Sequence, residues 1–315
     1  MQTYGGAFGG TVWIWAAVLA ALCQALRYAA LKELNKHLPV AVTSYARILF
    51  ATPLLLAYLA CVLAVTNTPM PHMNPRFLVF ACLTAIGQFL GTIFMVRLFQ
   101  MGNFAVGTML TKADTIITAL LGTMLLTEQI TALGWGAILI TVAGVVIVST
   151  ARVPATAWRA GDIPLWRVLL SPSTQLGLLI SLINAICYLM LREAILTLES
   201  SGGVPVDAAV AGTMMTVFSC VLLGGWLLAT DRAGLLALRR HIGLCSFVGF
   251  VSALGTVLWY LAAALTNVSY VAAVAQVQIV FALLLSHYWF HETIWPKELV
   301  GIAIILAGVL LFRAV

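Results

Sequence analysis

Residues 103–145 read NFAVGTMLTKADTIITALLGTMLLTEQITALGWGAILITVAGV, and residues 267–309 read NVSYVAAVAQVQIVFALLLSHYWFHETIWPKELVGIAIILAGV. At an offset of 164 (267 − 103), Asn103 falls on Asn267, Glu128 on Glu292, Ile130 on Ile294, Ile138 on Ile302 and Ala143-Gly144 on Ala307-Gly308. Carried backward without a gap, the same offset sets Gly91-Thr92 on Gly255-Thr256. The start of the chain repeats at a nearby offset of 160 (188 − 28). There Gln24 meets Asn184, Tyr28 meets Tyr188, Leu31 meets Leu191 and Lys32-Glu33 meets Arg192-Glu193. Apolar coincidences are cheap in an apolar chain. Polar residues matched in order are not, so the chain contains an internal repeat, and a repeat decides architecture before any single element does.

The chain has 315 residues, 63% hydrophobic and 8% charged, with a mean hydropathy of +1.07. Soluble domains carry about 25% charged residues, so water does not solvate this surface and lipid must cover most of it. A helix crosses the hydrocarbon with about 20 apolar residues. Ten apolar stretches meet that demand: 12–31, 40–65, 77–99, 105–126, 133–148, 176–196, 208–229, 242–265, 268–290 and 299–312. The expected fold is therefore an all-α membrane protein of ten transmembrane helices. Residues 1–150 form one five-helix repeat, 151–172 a polar linker with Pro154, Gly161 and Pro164, and 173–315 the second repeat. An odd number of crossings reverses orientation, so the halves are expected to be inverted about an axis in the membrane plane. That architecture places a solute site at mid-membrane between the halves. Met1 to Gly10 carries no Lys or Arg, so the first stretch reads as a retained span and not a cleaved signal.

The ends of the two halves resemble the drug/metabolite transporter superfamily, in particular its EamA-type members. The resemblance rests on Thr111-Lys112-Ala113-Asp114 leading to Leu125-Leu126-Thr127-Glu128 and Gly144-Val145. Its second part is Ala275-Gln276-Val277-Gln278 leading to Phe290-His291-Glu292 and Ala307-Gly308-Val309. It implies ten helices in a 5+5 inverted repeat, no cofactor, no enzymatic activity, alternating access and a multi-pass place in a bacterial inner membrane. It leaves the substrate open, because related members carry amino acids, purines, vitamins and other metabolites.

Charged residues deep in a span cost about 2.5–3.5 kcal/mol on insertion scales and are functional candidates by default. Lys112 and Asp114 lie near the middle of the fourth stretch, and Gln276 and Gln278 take their places in the ninth. Residues two apart on an α-helix lie about 200° apart around its axis, so each of the four needs a partner from another helix. Together they suggest a central substrate site, with Asp114 as the proton-coupling candidate; the structural alternative is a polar network that fixes helix packing. Arg47 lies two turns into the second span, and Arg27 lies in the first beside Gln24 and Tyr28. Arginine forks suit carboxylate and phosphate, and within spans Arg27, Arg47 and Lys112 outnumber Asp114. The excess favours an anionic or zwitterionic solute such as an amino acid. The alternatives are that Arg27 snorkels to the interface and Arg47 pairs with Asp114. Asn184, Tyr188, Gln88, Trp259 and Tyr260 are further candidates for a polar and aromatic wall. Gly87 and Gly91 form a GxxxG, read as a close-packing site within the fold.

Other chemistries are weakly supported. The six cysteines fall in apolar stretches without a CxxC pair and read as small hydrophobic fillers. His287, His291 and Glu292 lack a third ligand or an HExxH frame, so no metal is expected. No GxxxxGK[ST] loop for ATP occurs. The net charge of +6 is spread through loops and not gathered on a basic face, so no nucleic-acid partner is expected. The expected partners are a small-molecule substrate and the lipid bilayer, with the chain a monomer or weak homodimer. A facilitative channel, a uniporter without ion coupling, or an intramembrane lipid-acting enzyme are the competing functions. No nucleophile set supports the last.

Loop charges give an orientation. With both termini outside, cytoplasmic loops hold Lys32, Lys36, Arg97, Arg152, Arg159, Arg167, Arg232, Arg239, Arg240 and Lys297, against Arg76, Arg192 and Arg313 opposite. The positive-inside rule then favours termini outside, whereas the resemblance implies termini in the cytoplasm. A reporter active only in the cytoplasm, fused after Val315, is therefore expected to be silent; an active fusion reverses the assignment.

Overall fold

The computed structural model describes residues 9–100, 113–125, 129–150, 172–198, 201–290 and 295–314. Among these residues all regular structure is helical, with no strand. Its principal helices are α1 (Gly9–Leu34), α2 (Val40–Thr66), α3 (Pro75–Gln100), α4 (Asp114–Leu125), α5 (Ala132–Thr150), α6 (Pro172–Leu196), α7 (Val204–Thr230), α8 (Ile242–Leu265), α9 and α10 (Pro296–Leu311). α9 comprises Val268–Val274, a 3₁₀ turn at Ala275–Val277 and Gln278–Phe290. Hydrocarbon offers no hydrogen bonds to a backbone, and a helix satisfies its own; an apolar chain of this composition has few other choices.

Breaks fall where the sequence supplies turn chemistry. Pro39 precedes α2, and Asn67 ends it in the left-handed region at φ 48°. The Thr68 N–H then reaches the Leu63 carbonyl at 3.2 Å, the six-to-one bond of a Schellman cap, with Asn in the role glycine usually takes. Asp231 accepts from the Gly234 N–H at 2.8 Å and caps the short connecting helix Arg232–Ala237 before α8.

Seven helices among the described residues are long and apolar enough to cross a membrane, where the sequence reading expects ten. The other three are shorter within the described part: α4 has 12 residues, the apolar stretch of α5 is Ala132–Val148, and α10 has 16 residues, about 24 Å at 1.5 Å per residue.

The helices pack in a pattern with an internal symmetry. α1 packs on α8 and α6 on α3; α2 packs on α8 and α7 on α3; α1 packs on α9 and α6 on α4. α2 meets α7, α4 meets α9 and α5 meets α10. Exchanging α1–α5 for α6–α10 leaves this set unchanged, so each helix contacts the rest as its sequence repeat does.

The direction of the self-paired helices follows from glycine contacts. A Cβ on Gly144 would sit 2.8 Å from the Ile305 backbone nitrogen and 2.9 Å from the Gly301 carbonyl oxygen. A Cβ on Gly308 would sit 2.9 Å from the Thr141 nitrogen. Numbers rise along α5 as they fall along α10, so the two run antiparallel at backbone-to-backbone contact. α2 and α7 do likewise: Tyr45 packs over Gly224, and the Thr213 hydroxyl donates to the Leu55 carbonyl at 3.2 Å. α3 and α6 meet where the GxxxG was expected to permit close approach, with Gly87 against Cys187 and Gly91 against Ile183 and Asn184.

Two ends of the bundle are thereby distinguished. At one, α1 begins and α10 finishes. There Trp13 stacks on Tyr270 at 6.3 Å, and Asn74 donates from its side chain to the Thr197 carbonyl at 2.5 Å. At the other, the α1–α2 loop meets the start of α8, where His37 and His241 stack at 5.0 Å.

Gly144→Val is expected to lower the thermal unfolding midpoint of the purified protein, since overpacking a close contact costs about 1–3 kcal/mol. Gly136→Val in the same helix, where nothing lies within 4 Å, is expected to change it little. Equal effects would contradict the α5–α10 contact.

Candidate functional site

A cavity of about 380 Å³ lies between the helices, bordered by residues of α1–α4 and α6–α9. Gln24, Tyr28, Arg47, Gln88, Asp114, Asn184, Tyr188, Trp259, Tyr260, Gln276 and Gln278 all border it. These are the sequence-nominated candidates except Lys112, which lies outside the described residues, as do Glu128, Glu292 and His291. The volume falls within the range of about 300–1,000 Å³ typical of small-ligand sites.

The lining repeats with the sequence. At the offset of 164, Gln88 answers to Ser252, Gly91-Thr92 to Gly255-Thr256, Met95 to Trp259 and Asp114 to Gln278. At the offset of 160, Ala20 answers to Ile180, Gln24 to Asn184, Arg27 to Cys187 and Tyr28 to Tyr188. Every one of these residues borders the cavity. The Thr92 and Thr256 side chains and Ser252 were legible only as repeat matches or not at all. Ser44, Thr216 and Ser219 carried no sequence signal.

Charge breaks the repeat. Arg27, Arg47 and Asp114 are the charged residues of the described lining, and all belong to the first half. Their counterparts are Cys187, Ala211 and Gln278; the second of these follows from α2 and α7, whose bounds differ by 164 at both ends.

Arg27, which the sequence allows either at the lipid interface or at the site, borders the cavity. Its guanidinium carbon lies 5.3 Å from the Tyr28 ring centre, and Gln24 donates to the Tyr28 hydroxyl at 3.3 Å. Its Nε is buried without a hydrogen-bond partner among the described residues. Arg47 is half-buried and close enough to Arg27 for the two charges to repel. The alternative in which Arg47 pairs with Asp114 is not what is found: among the described residues the ion pair is Lys36–Glu33, at the surface.

Asp114 opens the described part of α4 and is buried, as are Gln276 and Gln278. Thr115 connects the halves here. Its hydroxyl accepts from the Gln276 side-chain amide at 2.7 Å and lies 3.4 Å from the Asp114 carboxylate. The oxygens of Gln276 and Gln278 are buried without partners among the described residues. On a regular α-helix these two would face nearly opposite ways. The 3₁₀ turn at Ala275–Val277 interrupts that spacing, and both border the cavity. A short 3₁₀ stretch inside a helix commonly marks a hinge or a site.

The aromatic wall is partly as expected. Tyr188 and Trp259 pack together at 5.3 Å between ring centres, both half-buried at the cavity. Tyr260 also borders it, but its hydroxyl is taken up by the Met215 sulfur at 3.1 Å, so it serves the wall chiefly by packing.

The cavity reaches Leu31, Val40 and Ser44 near the α1–α2 loop, and Leu191 and Ala272 toward the end where α1 begins. Toward that second end an apolar cluster with Leu59, Phe77, Leu189, Ile195, Val206 and Met215 fills the space between α2, α3, α6 and α7. Arg192 reinforces that end, donating to the Ala263 carbonyl in the last turn of α8 at 2.9 Å.

No curated protein sequence matches the chain significantly. A solved crystal structure, named only as that of a protein, is similar over 97% of this chain and 96% of its own, with a TM-score of 0.71 at 14% identity; at that identity the likeness concerns the fold. The sequence profile of the EamA-like transporter family matches residues 11–150 and 171–314. The matches cover both halves, and the apolar helices make the molecule an integral, multi-pass membrane protein. The chain belongs to the EamA-like transporter family, part of the drug/metabolite transporter superfamily.

Proposed function

We propose that the protein is a secondary active transporter. It moves a small polar metabolite, anionic or zwitterionic, through the cavity by alternating access, and it is not an enzyme. Ten helices cross the membrane, residues 1–150 and 173–315 forming two inverted five-helix units joined by the linker 151–172. The observation that carries this reading is the cavity lining: residues equivalent under the sequence repeat face each other across one space. An inverted repeat can exchange the conformations of its halves, and the exchange moves the opening from one end of the bundle to the other.

The described conformation represents one access state. It is closed at the end where α1 begins, by the apolar cluster and the Arg192 contact, and its cavity extends toward the α1–α2 loop. With the termini outside a bacterial inner membrane, as the loop charges favour, that extension faces the cytoplasm. Binding needs no cofactor and no second protein: the substrate site comprises Lys112, Asp114, Gln276, Gln278, Arg47, Gln24, Tyr28, Gln88, Asn184, Tyr188, Trp259 and Tyr260.

Asp114 is the proton-coupling group. A carboxyl in a span can carry a proton because its charged form is costly there and its neutral form is not. Thr115 holds it near Gln276 on the facing half, so a change of protonation is felt across the seam that must move.

Asp114→Asn is expected to abolish the pH dependence of uptake in proteoliposomes while leaving counterflow measurable. Lys112→Ala is expected to abolish substrate binding. Saturable flux with counterflow separates a carrier from a channel, and unchanged uptake in both variants rejects this site.

A further inference from the structure

The cavity is polarised along the axis of the bundle. Arg27 lies seven residues before the end of α1 (34 − 27), and Arg47 lies seven after the start of α2 (47 − 40). At 1.5 Å per residue both sit about 10 Å in from the α1–α2 loop. Tyr188 lies eight residues before the end of α6 (196 − 188), and Trp259 six before the end of α8 (265 − 259). Those helices finish at the opposite end of the bundle, so the two rings stand about 9–12 Å in from it. One cavity thus has two guanidinium groups toward the α1–α2 loop and a pair of packed aromatic rings toward the opposite end.

Toward the α1–α2 loop neither guanidinium has an ion-pair partner among the described residues. Arg27 and Arg47 repel each other, the Arg27 Nε has no partner among the described residues, and neither arginine ion-pairs with Asp114. Two like charges held together in a low-dielectric space are stable only when an anion completes them. The guanidinium fork recognises two oxygens on one atom, as in a carboxylate or a phosphate monoester. At the other side the repeat replaces Met95 of the first half by Trp259 of the second, which adds a flat apolar surface where the first half has a flexible chain.

Resting on the transporter reading above, we propose that the substrate is amphipathic and bound in one direction. Its oxyanion sits between Arg27 and Arg47, and an aromatic or branched apolar body lies against Tyr188 and Trp259. The two arginines set charge selectivity, and the two rings set selectivity for the body.

The test is equilibrium binding by thermal shift and by competition on the full-length purified protein, with four probes: 3-phenylpropionate, its neutral amide, propionate and inorganic phosphate. The ring-bearing acid is expected to bind best, the amide about tenfold or more weaker because a charge-assisted pair is lost, and propionate about three- to tenfold weaker because the ring contact is lost. Arg47→Gln and Arg27→Gln should each erase the preference of acid over amide. Arg47→Lys, which keeps the charge and loses the fork, should restore part of it, showing that the variants fold. Trp259→Leu should erase the preference for the ring while acid over amide survives. Phosphate binding better than either acid would overturn the assignment of the apolar body but keep the oxyanion. Equal binding of acid and amide, failure of every acid to bind, or a uniform loss in all variants would overturn the proposal. The transporter reading fails separately: acids that bind with the expected selectivity but give no saturable counterflow in proteoliposomes reject transport and leave the polarised site standing.

Discussion

Helices α5 and α10 meet with hardly any side chain between them. Gly144, Gly301 and Gly308 bring the two backbones together in antiparallel register, and a single Cβ at any of them collides with main-chain atoms. Lipid supplies no hydrophobic force between helices, so close approach at small residues is what holds such pairs. Each half's last helix is thereby fixed to its own repeat in the opposite sense. The equivalent helices α2 and α7 run in opposite senses as well. Once the equivalent helices oppose each other, the equivalent polar residues must face a common space, and the cavity follows from the packing.

Within that space the repeat is broken where chemistry requires it. A symmetric pair of halves would give a site with equal ends and no preferred substrate direction. Arg27, Arg47 and Asp114 stand in one half, where the other has Cys187, Ala211 and Gln278, and the proposed substrate direction rests on that asymmetry. On the proposed reading, the cost of burying two guanidinium charges is offset when an anion occupies the cavity. The 3₁₀ turn in α9 lies where Gln276 is bonded to Thr115 of the other half, and Gln276 and Gln278 both border the cavity.

Much of this was legible before any coordinates. The repeat offset named both the equivalent helices and the equivalent lining residues, because polar residues in a span are too expensive to persist without a partner or a role. The limits of α2, α8 and α9 fall within a residue of the hydropathy reading. Other features were hidden for physical reasons. These helices are apolar all round, so hydropathy does not say which face meets protein; that left Arg27 undecided between interface and site. The Tyr260 hydroxyl finds Met215 from another helix, a contact no local pattern encodes. The 3₁₀ turn at Ala275–Val277 had no signal in the hydropathy pattern, which reads α9 as one continuous helix.

The central claim is that the two ends of the bundle open in alternation. Pulsed electron–electron resonance on two spin-label pairs in nanodiscs measures this most directly. Lys36 and Arg239 report the end at the α1–α2 loop, and Met70 and Ser201 report the opposite end; all four are exposed. Each pair should show a short and a long distance, and the Asp114→Asn background should shift the two populations in opposite directions, one end opening as the other closes. Distances that stay fixed at both ends, or that lengthen together, would contradict the account.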